Sequence, residues 1–341
     1  MRCNVILFEN KYVSLRLFTN CLIMKRGIKI TIISVLAVLV IATIGGSFYM
    51  LDYSLTSDAN HSAKNKERYE WVFKCNPDLK PWVDSLQHCK ALRDTFITMP
   101  NGERQHAMFV RAAKKTGRTA VLVHGYKDCC VGMLNIAHIY AQMGYNVLLP
   151  DLHGHGLSDG DDIQMGWKDR FDVIHWMAVA DKMFRDSTGT TQQVLHGISM
   201  GGATTMCVSG EKTPSYVKCF VEDCGYTSVR DEFHYELGEM FGLPDFPLMY
   251  TTSLLCKMKY GWSFGEASAL NQVKKCHKPM LFIHGDNDDF VPSWMVHPLY
   301  AAKPQPKELF IGKGSAHAKT YEDHKVEYIT HVKEFVSRYI H

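Results

Sequence analysis

The sequence has little excess of charge of either sign. Lys and Arg number 38 against 35 Asp and Glu, the formal net charge is +3, and 21% of the residues are charged. No long basic run and no spaced array of basic and aromatic residues occurs. Because proteins that bind nucleic acids concentrate Lys and Arg against the phosphates, the sequence predicts no nucleic-acid partner.

The chain also lacks the short motifs that hold metals and nucleotides. It has no Cys-x-x-Cys and no His-Glu-x-x-His, although it contains 17 histidines. Gly154 and Gly156 have the spacing of a dinucleotide-binding loop, but the third glycine of that motif is missing at the required place. We therefore expect no metal ion and no cofactor.

The 11 cysteines do not follow the spacing of a small disulfide scaffold. Nine of them follow residue 51, and an odd number cannot all pair within one chain. We interpret most of them as small buried side chains, including the adjacent Cys129 and Cys130. A disulfide between Cys75 and Cys89 is the alternative for that pair.

One long hydrophobic run stands near the N-terminus. The 22 residues from Ile30 to Leu51 carry no charge, and as a helix they would extend about 33 Å, enough to cross a membrane. The run is apolar all round, which disfavours a helix in a soluble core. Charged residues of opposite sign flank it: Lys25, Arg26 and Lys29 before it, Asp52 and Asp58 after it. This asymmetry predicts that the N-terminus is cytoplasmic and that the rest of the chain is exported.

The same run is compatible with a retained anchor or a cleaved signal segment. Gly45, Gly46 and Ser47 are small, but no Ala-x-Ala site follows them, and we therefore favour the uncleaved anchor. The stretch that begins Met24-Lys-Arg-Gly-Ile-Lys is typical of a translation start. Residues 1–23 are accordingly interpreted as an upstream extension of the reading frame.

Composition divides the chain into three parts. Residues 1–51 form the N-terminal region with the membrane segment at about 30–51, and residues 52–91 form a tether followed by packing helices. From residue 92 to 341 we predict one catalytic domain. Within it, residues 229–275 separate two strands and are rich in Met, Phe and Tyr. A connection of this length predicts a small helical cap over the site, with helices of the core as the alternative.

The domain alternates apolar strands with helical stretches. The strands are predicted at 95–99, 106–111, 119–124, 145–150, 193–196, 217–222, 280–284 and 308–312, and the helices at 133–142, 168–184, 201–209, 294–302 and 322–339. Continuous apolar strands separated by helices predict an α/β fold with a mostly parallel eight-stranded sheet covered by helices on both faces. Ligands bind such sheets beyond the carboxyl ends of the strands, where the chemistry-bearing motifs of this chain fall.

Ser199 is the predicted nucleophile. It is the centre of Gly197-Ile198-Ser199-Met200-Gly201, which follows a strand and opens a helix. That context is the one a nucleophile elbow requires, because small residues must flank the serine in so tight a turn. The pattern alone has many chance matches, and its strand–turn–helix setting strengthens the interpretation; only the full set of motifs is specific.

A serine hydroxyl needs a base, and the base needs an orienting acid. His317 and Asp288 each follow a predicted strand, and the chain order Ser, Asp, His is that of an α/β-hydrolase. We predict His317 as the general base and Asp288 as its acid, with the backbone N–H groups of Tyr126 and Met200 as the oxyanion hole. Asp286 and Asp289 are alternatives for the acid, and His324 and His331 are alternatives for the base. We interpret His196 and His284, each directly before a glycine at a strand end, as structural histidines.

With these residues in place, the sequence resembles the α/β-hydrolase superfamily, and within it the lysophospholipase and monoacylglycerol-lipase-like branch with a serine aminopeptidase domain. Val123-His-Gly-Tyr126, Asp151-Leu-His-Gly-His-Gly-Leu-Ser158 and Asp223-Cys-Gly-Tyr-Thr-Ser228 carry the resemblance, together with Gln164–Arg170. The likeness extends to membrane-anchored bacterial hydrolases. It implies that 151–158 is a structural turn lining the site. Lys127-Asp-Cys-Cys130 departs from the small or polar residues common there, which bears on the shape of the pocket.

These observations together predict a serine hydrolase that cleaves carboxylic esters of fatty or aromatic acids through an acyl-enzyme on Ser199. A serine aminopeptidase or amidase is one alternative, with Glu236, Glu239 or Asp245 binding the substrate's amino group. A non-catalytic ligand-binding protein of the same fold is the other. The expected partners are a small ester or lipid-like substrate and the membrane, and the expected location is the bacterial cytoplasmic membrane, crossed once, with the catalytic domain outside.

Overall fold

Eight strands form one sheet in the computed structural model, which describes residues 2–57, 61–187 and 189–341. The sheet order is β1-β2-β4-β3-β5-β6-β7-β8. The pairs β1–β2 and β2–β4 are antiparallel, and all the other pairs are parallel. The strands are β1 Leu92–Thr98, β2 Arg104–Val110, β3 Arg118–Val123, β4 Asn146–Pro150, β5 Gln192–Ile198, β6 Val217–Asp223, β7 Met280–Gly285 and β8 Lys307–Gly312. The predicted mostly parallel sheet of eight strands is confirmed.

Helices cover both faces of the sheet, as predicted. They are α1 Arg2–Leu55, α2 His61–Cys75, α3 Lys80–His88, α4 Leu134–Gln142, α5 Asp169–Phe184, α6 Met200–Ser209, α7 Val229–Phe241, α8 Leu248–Tyr260, α9 Ala269–Val273, α10 Val296–Ala302, α11 Thr320–Asp323 and α12 Lys325–Ser337. Successive strand side chains point to opposite faces, so the sheet separates two buried apolar layers. Residues of α5 to α10 build one layer, and residues of α2, α3, α4 and α12 build the other.

Helix α1 is apolar and long. Its segment Ile23–Leu55 has a mean hydropathy of 2.5 and meets the length and composition of a membrane span. The hydrophobic side chains between Ile23 and Ile44 are exposed. Ser47, Leu51 and Leu55 are instead buried against the rest of the protein. The predicted domain boundary at residue 51 therefore falls inside a helix whose last turns pack on the rest of the protein.

The segment after α1 packs on the opposite face of the sheet. Val72 of α2 and Val83 of α3 are buried in the apolar layer that α4 and α12 complete. The Arg68 guanidinium forms a salt bridge with the Asp128 carboxylate in the loop after β3. Cys75 and Cys89 are both free thiols in this structure, so the alternative of a disulfide between them is not realised.

The connection between β6 and β7 contains three helices, α7, α8 and α9. The Ser228 hydroxyl caps α7 by accepting the Asp231 N–H at 3.0 Å, and Ser268 caps α9 in the same way. Gly242 ends α7 in the left-handed conformation with φ 61°. Residues of α7 and α8 line the cavity above Ser199 described below.

Candidate active site

Ser199 lies in a strained turn between β5 and α6. Its φ is 58° and its ψ −120°, a backbone conformation that non-glycine residues seldom adopt outside functional sites. A side chain on Gly197 would meet the Gly201 carbonyl, and one on Gly201 would meet the Val123 carbonyl, so both flanking positions require glycine. The Ser199 N–H donates to the Asp223 carbonyl of β6 at 2.8 Å, which fixes the turn on the sheet.

His317 stands beside Ser199 although the two residues are 118 positions apart. Its Nε2 lies 2.8 Å from the Ser199 Oγ. His317 belongs to the loop after β8, and the Phe290 ring packs on it with centroids 4.9 Å apart. The imidazole is held within hydrogen-bonding distance of the hydroxyl, which is the geometry that general-base activation of a serine requires.

Asp288, in the loop after β7, completes the arrangement. Its Oδ2 lies 2.8 Å from the His317 Nδ1, and its Oδ1 accepts the Phe290 and Val291 N–H groups at 3.1 and 2.9 Å. Burial raises the pKa of this carboxyl, but hydrogen bonds from His284 and His317 outweigh that effect and lower it to about 2. Asp288 is therefore an anion beside the imidazole at any ordinary pH.

The residues that compete with Asp288 and His317 in the sequence lie elsewhere. Asp286 and Asp289 are exposed, and the Asp286 carboxylate accepts the Gly314 N–H. His324 contacts the Lys313 carbonyl at 2.8 Å, and His331 stacks on the Phe310 ring. His196 is buried between the hydroxyls of Tyr140 and Tyr328. None of these five is brought to Ser199 in the described structure.

His284 is closer to the site than sequence reasoning indicated. Its Nε2 lies 3.0 Å from the Val291 carbonyl and 3.4 Å from the Asp288 Oδ2, the same carboxylate oxygen that His317 contacts. His284 is the penultimate residue of β7, four residues before Asp288. Its position directly before the glycine of a strand end was the available signal, and it indicated a structural histidine only.

The loop after β3 adjoins the nucleophile. A Cβ built on Gly125 would lie 3.4 Å from the Ser199 Cβ and 3.8 Å from its Oγ. The His155 Nε2 accepts the Lys127 N–H at 3.3 Å and so ties this loop to the turn after β4. Tyr126 and Met200, the predicted oxyanion residues, both line the cavity in front of Ser199.

Asp151 organises the turn that follows β4. Its carboxylate accepts the Cys130 N–H at 2.6 Å and the Leu157 N–H at 2.9 Å, and it pairs with the His106 Nδ1 at 2.7 Å. His106, Cys130 and Asp151 are close enough to hold a metal ion. However, the carboxylate already has these three partners, and burial raises the pKa of the Cys130 thiol well above its usual range. The cluster therefore fits a structural hydrogen-bond network better than a metal site.

A cavity of about 310 Å³ opens in front of Ser199. Most of its lining is apolar, and it comes from helices α7 and α8, the end of α1 and the loops around the nucleophile. The apolar lining residues include Met165, Met200, Phe233, Leu237, Met240, Phe241, Leu248, Met249, Phe264 and Phe290. Such a lining accommodates an acyl chain or an aromatic ring.

Two carboxyl groups of α7 interrupt this apolar lining. Glu232 and Glu236 both border the cavity, whereas Glu239 and Asp245, the other acidic candidates from the sequence, do not. Glu232 is buried, and its Oε2 has no hydrogen-bond partner among the described residues. Burial and the neighbouring Glu236 raise the pKa of Glu232 well above its usual range. Sequence reasoning missed Glu232, because no local pattern distinguishes the buried glutamate of a helix from the exposed ones.

Replacing Glu232 with Gln is expected to change stability in a pH-dependent manner. In the unfolded chain the Glu232 carboxyl ionises near its ordinary pKa of 4.5, whereas burial keeps it protonated in the folded protein. The wild type therefore loses stability as the pH rises above about 4.5, up to the raised folded pKa. A glutamine does not titrate, so the melting temperature of the variant minus that of the wild type should increase between pH 4.5 and 8.

Glu239→Gln is the matched control, because Glu239 lies two turns along the same helix and is exposed. Its melting temperature should not show the rise relative to the wild type that removal of the buried Glu232 carboxyl produces. Thermal unfolding followed by circular dichroism measures both. An equal pH dependence of the two differences would show that Glu232 is ionised in the folded protein.

Comparison with known proteins identifies the family. The profile of the prolyl oligopeptidase family matches residues 132–341, more than half of the chain, and that range includes Ser199, Asp288 and His317. The uncharacterized protein YqkD of Bacillus subtilis (strain 168) is 28% identical over 226 residues, which cover 66% of this chain and 73% of YqkD. The match to the family supports serine hydrolase activity.

Solved structures share the fold. The Pyrococcus furiosus esterase Pf2001 is 20% identical, with a TM-score of 0.59 over 73% of this chain and 93% of the esterase. A puromycin-hydrolyzing peptidase of Mycobacterium tuberculosis is 19% identical, with a TM-score of 0.58 over 73% of this chain and 39% of the peptidase. The Pyrococcus horikoshii acylaminoacyl peptidase is 17% identical, with a TM-score of 0.55 over 73% of this chain and 41% of the peptidase. The predicted resemblance to the α/β-hydrolases is confirmed.

Proposed function

The chain belongs to the prolyl oligopeptidase family, and from this we propose that it is a serine hydrolase that cleaves carboxylic esters through an acyl-enzyme on Ser199. One observation carries the proposal: the Ser199 Oγ, the His317 imidazole and the Asp288 carboxylate form a continuous chain of contacts of 2.8 Å each. That chain opens on an apolar cavity. We also propose that α1 anchors the protein in the bacterial cytoplasmic membrane, with the catalytic domain outside.

In the proposed acylation step, the Ser199 Oγ attacks the ester carbonyl while His317 Nε2 takes its proton. The Asp288 carboxylate holds Nδ1–H and stabilises the imidazolium that forms. The carbonyl oxygen becomes an oxyanion, which the backbone N–H groups of Met200 and Tyr126 stabilise. His317 then gives the proton to the leaving alcohol as the C–O bond breaks, and the acyl-enzyme remains.

Deacylation repeats these steps with water in place of serine. His317 removes a proton from the water as its oxygen attacks the acyl carbon. The tetrahedral intermediate collapses, the bond to the Ser199 Oγ breaks, and the proton returns from His317 to that oxygen. A carboxylic acid leaves, and the enzyme is regenerated with no cofactor.

The lining of the cavity supports an acyl or aromatic ester as the substrate. Methionine, phenylalanine and leucine side chains surround the space in front of Ser199. Burying an apolar acyl chain against them contributes about 0.8 kcal/mol per methylene. This energy is available to an ester of a medium-chain acid and is largely absent for a polar peptide.

An amidase or aminopeptidase is the second candidate, and Glu232 and Glu236 favour it. Their carboxyl groups border the cavity on the α7 side, where the amino group of an aminoacyl substrate would find acceptors. The family profile and two of the solved structures with this fold belong to peptidases. The candidate therefore requires a direct comparison of substrates.

A substrate panel separates the candidates. We expect kcat/KM for p-nitrophenyl esters of acetate to decanoate to exceed that for aminoacyl p-nitroanilides by at least about 100-fold, because the mostly apolar lining stabilises an apolar acyl group and contributes little to a polar aminoacyl group. Ser199→Ala protein serves as the blank for spontaneous hydrolysis. A higher kcat/KM for the anilides, lost in Glu236→Gln, would assign the enzyme to the amidases.

Fluorophosphonate labelling tests the enzyme class independently of the substrate. The folded wild type should form a phosphonyl adduct on Ser199, located by peptide mass spectrometry. A folded protein without this adduct would be a ligand-binding member of the fold, not a hydrolase.

A further inference from the structure

The end of the membrane helix borders the catalytic cavity. Met50, Tyr53 and Ser54 of α1 line the same cavity as Ser199. The Tyr53 ring packs edge-on against the Phe241 ring of α7 with centroids 5.6 Å apart. The helix therefore supplies part of the cavity wall, although the family profile, which begins at residue 132, does not include it.

Hydrogen bonds fix this end of α1 to the loops of the active site. The Tyr126 hydroxyl donates to the Ser54 carbonyl at 2.8 Å, and the Ile163 N–H donates to the Leu55 carbonyl at 2.8 Å. The Ser57 N–H donates to the Asp161 carbonyl at 3.0 Å. Bonds of this kind hold the helix in register with the catalytic domain, so the wall is a fixed part of the cavity.

The cap meets α1 within the apolar run. The Ser47 and Thr251 hydroxyls lie 2.5 Å apart, and a Cβ on Gly46 would lie 3.2 Å from Leu248 of α8. Ser47 precedes Leu51 by four residues, which is about 6 Å along the helix axis. A span of about 20 residues that begins at Ile30 reaches this level of α1. Helix α8 consequently lies at the depth of the membrane surface.

One side of α8 is exposed and apolar, and we call it the cap face. It consists of Tyr250, Leu254 and Met258 of α8, with 51%, 60% and 75% of their surfaces exposed, and it is extended by Phe246, 74% exposed, just before the helix begins. The spacing of four residues places Tyr250, Leu254 and Met258 on one side of the helix. Because α8 also packs on the membrane helix, the cap face belongs to an element that adjoins α1 at the end of its exposed apolar run. A bilayer surface is the apolar medium that covers such a face.

We infer that the last turns of α1 form the acyl-binding wall of the cavity at the membrane surface, and that the substrate is an amphiphilic ester taken from the bilayer. Its acyl chain lies against Met50 and Tyr53, and its ester group lies at Ser199. The cap face rests in the interfacial layer of the lipid. The inference deepens the proposed esterase function and rests on it.

The wall is tested by introducing a larger side chain at Met50 of α1, which fills part of the cavity. The full-length protein is used, reconstituted in phosphatidylcholine vesicles. Met50→Trp should lower kcat/KM for p-nitrophenyl decanoate by about tenfold or more, because the larger side chain occupies the space of the chain. For p-nitrophenyl acetate the loss should stay within about threefold, since a two-carbon acyl group needs little of that space. Met50→Leu, of similar volume, should restore decanoate turnover.

Phe48→Trp is the matched control on the same helix. Phe48 is exposed and does not line the cavity. Its ratio of decanoate to acetate turnover should equal that of the wild type. Fluorophosphonate labelling of Ser199 verifies that each variant is folded. Equal losses on both esters in Met50→Trp, or the same ratio as in Phe48→Trp, would overturn the assignment of the wall.

The bilayer contact is tested on the cap face. Leu254→Asp should lower turnover of decanoate embedded in vesicles by about fivefold or more, because a charge disfavours the interfacial contact, and should leave acetate turnover unchanged. Val326→Asp, an exposed apolar position on α12 on the opposite face of the sheet, is the control. Unchanged decanoate turnover in Leu254→Asp would overturn the contact. So would a change in oligomeric state, which would assign the cap face to a second copy of the chain.

The two levels of the proposal fail in different ways. If wild-type Ser199 is labelled but neither ester is turned over, the esterase function fails and this inference fails with it. If the wild type cleaves both esters and Met50→Trp behaves as Phe48→Trp does, the esterase function stands and the inference about α1 alone is refuted.

Discussion

Replacing either Ser199 or His317 with alanine is expected to lower kcat for an ester by about 10⁵- to 10⁶-fold, and replacing both should lower it no further. The Ser199 Oγ and the His317 Nε2 lie 2.8 Å apart, so each group acts only through the other. Without the imidazole, the hydroxyl keeps its proton and is a weak nucleophile. Without the hydroxyl, the imidazole has no bound nucleophile to activate. Steady-state kinetics of the two single variants and the double variant measure this non-additivity.

Ser337→Ala and His331→Ala are the controls for these substitutions. Ser337 is exposed at the end of α12, and His331 stacks on Phe310 away from Ser199. Both should retain kcat within about threefold, since distant surface substitutions seldom affect a site. Additive losses in the double variant, or a His317→Ala variant with nearly full activity, would contradict a shared mechanism. The base would then have to be sought elsewhere.

The fold was predictable because its signals are local. Short apolar runs separated by helical stretches specify parallel strands buried on both faces, and β3 to β7 are such strands. The strand ends then place Ser199, Asp288 and His317 at one edge of the sheet, because the carboxyl ends of parallel strands lie together. The parallel sheet therefore brings motifs that are far apart in the sequence close together in the fold.

Contacts between distant elements were not predictable in the same way. The run Ile30–Leu51 is apolar all round, and its composition alone indicates only lipid contact. Ser47 and Leu51 are nevertheless buried, Ser47 against Thr251 of α8, and Met50 borders the cavity. Glu232 has the same difficulty, since its burial depends on how α7 packs over the sheet. The period of a helix shows which residues share a side, but not which distant partner covers that side.

Replacing Asp288 with Asn is expected to lower kcat by about 10⁴-fold while the protein remains folded. The Phe290 and Val291 N–H groups donate to Oδ1 and will hold the amide oxygen of the variant there. The amide nitrogen then occupies the position of Oδ2 and donates to the His317 Nδ1. The imidazole is forced into the tautomer with its proton on Nε2, which cannot accept the proton of Ser199. Kinetics with an ester and the rate of fluorophosphonate labelling should fall together.

Asp289→Asn is the matched control, because Asp289 is the next residue and is exposed. It should keep kcat within about threefold. Since the pKa of Asp288 is lowered to about 2, its carboxylate stays ionised from about pH 4 upward. When the ratio of wild-type to Asp288→Asn activity is plotted against pH, it should therefore show no change caused by protonation of Asp288 in that range. A loss below about tenfold in Asp288→Asn, with a large loss in Asp286→Asn, would transfer the role of the acid to Asp286. The hydrogen bonds argue against that outcome, because the Asp286 carboxylate contacts the Gly314 N–H, whereas Asp288 contacts the imidazole.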